Sequence, residues 1–148
     1  MKPYKVAVDS KEMESGVAKA LEKQGAEIEI TTLEAGYYVV NNRIAFKRLT
    51  LDDFLMSIFE DRKLYTRLGN LTTSYERTIL IIEGEDHFFP GRTIDPSFVQ
   101  FFVKTIAVSF GVSTLFTLDE AQTSEVISSI ARLEHLNKPE PSRIQEIH

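Results

Sequence analysis

The sequence predicts an α/β domain of three layers: a mixed central sheet, a hairpin in its middle, and helices on both faces. Three observations carry that expectation. Apolar runs of strand length, such as Tyr4–Val8 and Ile79–Ile82, alternate with longer stretches in which apolar residues recur at helical spacing. Asn41-Asn42 separates two apolar segments as a tight-turn dipeptide. Long helical connections between apolar strands are the form that crossovers onto one sheet take.

The elements follow in order. Tyr4-Lys5-Val6-Ala7-Val8 reads as a buried strand that meets a loop at Asp9. Met13 to Gln24 carries Val17, Ala18 and Leu21 at helical spacing, and Gly25 supplies the stop. Ala26 to Leu33 alternates, Ile28 and Ile30 standing between Glu27, Glu29 and Thr31, which is the period of a half-exposed strand. Tyr37–Val40 and Ile44–Leu49 flank the Asn41-Asn42 turn as a hairpin. Thr50 to about Leu71 returns to helical spacing through Phe54, Ile58, Tyr65 and Leu68. The continuous apolar run Ile79–Ile82 marks a strand buried on both faces.

Asp95-Pro96 opens a further helix with a cap and a first-turn proline, and that helix places Phe98, Phe101, Phe102, Thr105 and Ile106 on one side. Ser113–Phe116 is a last short strand. Thr117-Leu118-Asp119-Glu120 fits a capping box ahead of a helix with Val126, Ile127, Ile130 and Ala131 inward. Residues 1–136 thus form one domain, and 137–148, rich in proline and polar residues, a linker-like tail.

Composition narrows the classes. A chain of 148 residues with 43% apolar side chains supports one real core, whereas two domains would each be near the marginal size. The absence of cysteine excludes a disulfide framework, thiolate zinc sites and a cysteine nucleophile. No apolar run has the length of a signal peptide or of a membrane span, so the expectation is an intracellular protein, cytoplasmic or nuclear, with no membrane partner. The net charge of −5 is unevenly spread. Between Arg43 and Arg77 seven basic residues meet five acids, while from Thr78 onward five basic residues meet ten acids. A basic middle in an acidic chain suits one face turned to a polyanion, and equally a solvated helix face of mixed charge.

Four places could carry chemistry. Asp9-Ser10-Lys11-Glu12 sets two carboxylates and a cation at the C-terminal end of a strand, where α/β sheets form their sites, although Asp9 or Ser10 also suits a helix cap. Thr50 and Asp53 stand at capping-box spacing, and Asp52 and Asp53 suit the helix dipole. Arg62, Lys63 and Arg67 follow on that helix, with Lys63 and Arg67 on one face. The loop Gly84–Gly91 carries Phe88 and Phe89, which can anchor it to the core or meet a partner. His87, His135 and His148 have no metal-ligand spacing.

Several segments together resemble one family, the nuclease domain of the XPF/Hef-type structure-specific DNA endonucleases, a branch of the restriction-endonuclease-like fold. Val8-Asp9-Ser10-Lys11-Glu12 is similar to that family's V-D-x-R-E opening, with Lys for Arg. Leu33-Glu34-Ala35-Gly36-Tyr37-Tyr38 resembles its L-x-x-G-D-Y segment, and Ile44 to Thr50 lies where it has A-I-E-R-K-S/T. Asp53-Phe54, Ser57-Ile58, Asp61-Arg62, Leu64-Tyr65 and Leu68 follow its D-F-x-x-S-I-x-D-x-R helix. Ile81-Ile82-Glu83-Gly84 matches its I-x-E-G strand end, and Phe110-Gly111-Val112 its D-F-G-V turn. The likeness runs from about residue 4 to residue 135 and implies a three-layer restriction-endonuclease-like domain.

The departures bear on activity. Where the family has G-D, this chain has Gly36-Tyr37; where it has E-R-K, this chain has Lys47-Arg48-Leu49. The resemblance makes the Asp and Glu of those motifs ligands of a divalent metal and the Lys a support for the attacking water. Asp9 and Glu12 are the acids left to hold Mg²⁺ or Mn²⁺, with Lys47 standing in a ligand's position. Two unit positive charges about 4 Å apart repel by about 4 kcal/mol at an effective dielectric near 20, roughly three decades of affinity. Asp9, Lys11, Glu12, Tyr37, Lys47, Arg48, Leu49 and Asp53 are accordingly the positions of a degenerate centre, with no cofactor expected. Neither Glu34 nor Asp52 holds a matching position.

By resemblance, such a domain dimerises, as a homodimer or with an active XPF-type subunit, and binds branched or duplex DNA. Arg48, Arg62, Lys63 and Arg67 are the expected phosphate contacts, and the last two helices with Ser113–Phe116 the expected dimer surface. Two alternatives stand beside this: an active metal-dependent structure-specific endonuclease with an altered site, and a purely structural assembly subunit. Family members usually carry a tandem helix-hairpin-helix module after this domain and some a helicase before it, neither of which this sequence contains.

Overall fold

Six strands make one mixed sheet in the order β2-β1-β3-β4-β5-β6. They come from a computed structural model that describes residues 4–33, 37–58, 63–84 and 96–136. The strands are β1 (Tyr4–Asp9), β2 (Ala26–Thr31), β3 (Tyr37–Val40), β4 (Ile44–Thr50), β5 (Arg77–Glu83) and β6 (Ser113–Thr117). The helices are α1 (Gly16–Lys23), α2 (Leu51–Met56), α3 (Lys63–Ser74), α4 (Pro96–Phe110) and α5 (Glu120–Leu136). β3 is antiparallel to β1 and β4, while β1/β2, β4/β5 and β5/β6 are parallel.

The hairpin is where the sequence places it. Asn41 and Asn42 both take left-handed backbone angles, φ 57° and 53°, which Asn tolerates better than other side chains. The Arg43 amide donates back to the Val40 carbonyl at 3.1 Å and closes the turn. Gly25, at φ 101°, likewise ends the chain's first helix and turns it into β2.

Three helix starts differ in detail from expectation or confirm it. The helix expected from Met13 begins at Gly16, because Asp9 and Ser15 both act as caps and tighten Ser10–Glu14 into a 3-10 turn. Thr50 caps α2 as expected, its Oγ1 accepting from the Asp53 amide at 3.2 Å. The cap of α5 is Asp119 and not Thr117: Asp119 Oδ1 accepts from the Gln122 amide at 2.9 Å, and Gln122 Oε1 accepts from the Leu118 amide. Thr117 is buried in the sheet and spends its hydroxyl elsewhere.

Two apolar layers sandwich the sheet. On one side Val17, Leu21, Ile127 and Ala131 of α1 and α5 meet Val6, Val8, Tyr38, Phe46 and Ile81. On the other, Phe54, Leu55, Leu64, Leu68 and Ile106 of α2, α3 and α4 meet Tyr37, Val39, Ala45, Leu80 and Ile82. This is the expected three-layer architecture.

The apolar side of α4 is the exception. Phe102 and Ile106 turn inward with Val99 and Phe110, a line spaced at three and four residues. Phe98 and Phe101 lie off that line and stay 40% and 70% exposed, so the aromatic stripe is not simply core. No helix of the described residues is long and apolar enough to cross a membrane. The tail expected over 137–148, Arg62, Glu34, Asp95 and the aromatic loop after Gly84 lie outside the described residues.

Candidate functional site

Strand alternation decides which candidate residues can meet, because successive side chains point to opposite faces. Tyr37 pairs with Lys47 across β3 and β4, and Val8 pairs with Tyr38 across β1 and β3. Asp9, one step past Val8, therefore lies beside Tyr37, and Asp9, Tyr37 and Lys47 form a row across three strands. Leu49, two residues on from Lys47, shares their face.

The row is closed to water. Asp9 is 2% exposed, and Tyr37 and Lys47 are 5% and 4% exposed. Both Asp9 oxygens are engaged by the backbone: the Leu33 amide donates to Oδ1 at 3.0 Å and the Lys11 amide to Oδ2 at 3.2 Å. Lys47 Nζ sits 4.9 Å from the centroid of the Tyr37 ring, a cation–π contact that helps hold a buried ammonium. Among the described residues, no three His, Asp or Glu side chains come together in a group that could hold a metal ion.

The opposite face carries a second constellation. Arg48 forks onto Glu83, Nε donating to Oε1 at 3.0 Å and Nη2 to Oε2 at 2.6 Å. Its Nη1 donates to Glu12 Oε1 at 3.2 Å, and Glu120 Oε2 lies 3.6 Å from Nη2. The Tyr38 hydroxyl donates to the same Glu12 oxygen at 2.6 Å. Thr123 donates to Glu83 Oε1 at 2.6 Å and is itself in contact with Thr117. Burial alone would depress the Arg48 guanidinium, but the bonds and charge of Glu83, then Glu12, outweigh it and raise its pKa. Burial, reinforced by the neighbouring Glu12 carboxylate, pushes the Tyr38 phenol well above its ordinary range.

These placements put two expected site residues away from the row. Glu12 does not stand beside Asp9, because the 3-10 turn carries it round to the far face of the sheet, where it meets Arg48 and Tyr38. Arg48 lies on that face too, one residue from Lys47, and carboxylates enclose its guanidinium.

The ERCC4 domain matches residues 8–130, most of the chain and both constellations. The chain belongs to the ERCC4 domain family. It is 33% identical over 137 residues, 93% of its length, to a putative ATP-dependent RNA helicase of Methanocaldococcus jannaschii. It is 31% identical over 135 residues to the Fanconi anemia group M protein of Gallus gallus, and 22% identical over 140 residues to the 3′-flap repair endonuclease Xpf of Saccharolobus solfataricus. It spans 16%, 6% and 60% of those three relatives. Among solved structures, XPF from Aeropyrum pernix in complex with DNA superimposes with a TM-score of 0.79 at 30% identity, covering 89% of this chain and 65% of that one. A second structure of XPF from Aeropyrum pernix gives 0.77. The fold is that of an XPF-type nuclease domain.

Within this ERCC4 domain the remaining candidates are not members of the row, although the Lys11 amide bonds to its Asp9. Lys63 and Arg67 are exposed on α3, one turn apart. Asp53 is exposed in the first turn of α2, and Lys11 is exposed in the 3-10 turn. Sequence reasoning missed Tyr38, Glu83, Glu120 and Thr123 as members of one cluster. The signal for Glu83 was available: a lone carboxylate closing the run Ile79–Ile82 on a buried strand must find a cation.

Proposed function

We propose that this ERCC4 domain is a catalytically degenerate nuclease, a subunit that dimerises and binds branched DNA without hydrolysing it. The observation that carries the reading is the row Asp9–Tyr37–Lys47. A divalent cation needs oxygen donors with free lone pairs and a negative surround. The donor set of this row does not suit one: it offers a single carboxylate, Asp9, and the residues beside it are a phenol and an ammonium.

The same exchange favours polyanion binding, since it removes negative charge from the face where a phosphate backbone would lie. The relatives support DNA as the ligand, one being a 3′-flap repair endonuclease and one a DNA complex. Lys63 and Arg67, exposed on one face of α3, are the phosphate contacts of this reading; they position a duplex and carry no sequence information. Dimerisation is supported by the exposed apolar side chains Phe98, Phe101 and Val108 on α4 and Phe116 on β6.

The test is incubation with supercoiled plasmid, flap and fork DNA in Mg²⁺ and in Mn²⁺, alongside binding to the same DNA. Salt-dependent binding without cleavage is expected. Turnover abolished by Asp9→Ala overturns the degenerate reading, and a binding constant insensitive to salt removes DNA from it.

A further inference from the structure

The Arg48 cluster stands behind the sheet and takes no part in the row just described. One guanidinium there joins parts of the chain far apart in sequence: the turn after β1 through Glu12, the end of β5 through Glu83, and the start of α5 through Glu120. Glu120 in turn accepts from the Gly16 amide at 2.7 Å and so ties α5 to the first residue of α1. A Cβ at position 16 would stand 2.8 Å from Glu120 Oε1, so a larger residue there would push this carboxylate aside.

Glu12 is the member with a consequence for the front face. It lies in the middle of the 3-10 turn Ser10–Glu14, whose first amide hydrogen bond goes to Asp9. Its carbonyl accepts from both the amide and the hydroxyl of Ser15, at 3.0 and 2.8 Å. The turn is thus pinned at the front by Asp9 and at the rear by Arg48. Between the two pins stands Lys11, exposed, its amide bonded to the Asp9 that begins the front row.

We propose that Arg48, backed by the fork to Glu83, is a positioning residue: through Glu12 it fixes the Ser10–Glu14 turn and so holds Lys11 at the rim of the front row for a DNA phosphate. The ligand in this statement rests on the DNA-binding reading above; the geometry of the turn does not.

The test compares Glu12→Ala with Glu12→Gln in the full chain. Both remove the same negative charge, but only Gln keeps an acceptor for Arg48 and Tyr38. Charge alone makes both variants bind DNA more tightly. Positioning makes Glu12→Ala bind more weakly and lets Glu12→Gln rescue it. Two measurements decide: anisotropy with a labelled flap duplex, and native-state hydrogen exchange of the amides of residues 11–15. For Glu12→Ala, exchange in the turn is expected to rise by about tenfold, the loss of roughly one charge-assisted hydrogen bond, with the amides of β4 and β5 unchanged. Unchanged exchange in the turn overturns the proposal, whatever the DNA does. Faster exchange with tighter DNA binding in both variants overturns the role given to Lys11. If the unaltered chain binds no DNA, the DNA reading falls by itself and the exchange data still judge the clamp.

Discussion

Tyr37 and Lys47 face one another across the β3–β4 ladder, the ammonium 4.9 Å from the ring centroid, both almost fully buried. A buried ammonium on a sheet face is held there by its neighbours, and this pair occupies the row in which Asp9 is the remaining acid. If the ammonium is what keeps a divalent cation out, Lys47→Glu should admit one. Removing a repulsion of about 4 kcal/mol corresponds to roughly a thousandfold in affinity. Titration calorimetry with Mn²⁺ is expected to show binding by the variant and none by the unaltered chain. Equal affinity for both would mean that Lys47 does not guard the site.

Lys63 and Arg67 supply the second prediction. Each phosphate neutralised contributes about −0.9 to the slope of log K against log salt. Lys63→Ala and Arg67→Ala should each flatten that slope by about one contact, with little change in thermal stability since both side chains are exposed. A slope that stays at the unaltered value in both variants assigns the DNA surface elsewhere.

How much of this was legible beforehand depends on the length scale of the signal. The hairpin, the Thr50 cap and the Gly25 stop are local, fixed by backbone preferences within a few residues, and the chain adopts them as read. Asp9, Tyr37 and Lys47 were legible as one set through the family resemblance, and two-residue alternation across the paired strands makes them a row. Where Glu12 and Arg48 lie was not legible, because the resemblance names their positions while alternation and one 3-10 turn decide that both reach the other face. Thr117 looked like a cap because its spacing to Glu120 is right; β6 runs one residue longer than expected and buries it. Phe98, Phe101, Phe102 and Ile106 share one side by spacing, but that apolar stripe on α4 is wider than the surface it packs against, so Phe98 and Phe101 stay exposed. These last placements depend on contacts between elements far apart in sequence, which no single segment encodes.

The hairpin and the end of α5 are tied by Arg43 and Glu134, which gives a pH prediction. Arg43 Nε and Nη2 donate to the two oxygens of Glu134 at 2.6 and 2.9 Å, and Asn41 adds a third bond. The hydrogen bond from Arg43 holds the Glu134 carboxyl below the ordinary carboxylate range, against its burial. A depressed folded-state pKa stabilises the fold above the unfolded carboxyl value, and that contribution is lost as pH falls through the folded one. Glu134→Gln should lower stability at neutral pH by about 1–3 kcal/mol and flatten the acid limb of a melting-temperature profile. An unchanged acid limb would show that other carboxylates govern acid unfolding.

Tyr38 titrates in the opposite sense. Its hydroxyl is buried and donates to Glu12, and burial followed by the Glu12 charge raises its pKa. The folded state therefore keeps the phenol neutral where the unfolded chain, near pH 10, begins to ionise. Stability is fully present below that pH and declines as pH rises beyond it. Tyr38→Phe should cost about 1.5–3 kcal/mol at neutral pH, the range for a hydrogen bond to a charged group, and lessen the alkaline decline. Phenolate absorbance separates the outcomes: a tyrosine that ionises normally in the folded chain would contradict the buried contact with Glu12.

The exposed stripe on α4 gives the last prediction. Phe101 is 70% exposed and Val108 88% exposed, while Phe102 packs edge-on against Phe54 at 5.3 Å between centroids. One helix thus serves two surfaces, and substitution can address them separately. Phe101→Glu places a charge where no core contact exists, so the stability of the fold should stay within about 0.5 kcal/mol, the usual range for surface changes. If this face joins two subunits, the same charge is desolvated at the contact and the dimer should dissociate, which light scattering at micromolar concentrations reads directly. Phe102→Ala should do the reverse, costing about 1–3 kcal/mol of stability, below the full core range because Phe102 is only partly buried beside Phe54. A dimer that survives Phe101→Glu moves the interface to the β6 edge, where Phe116 is the next exposed aromatic to replace.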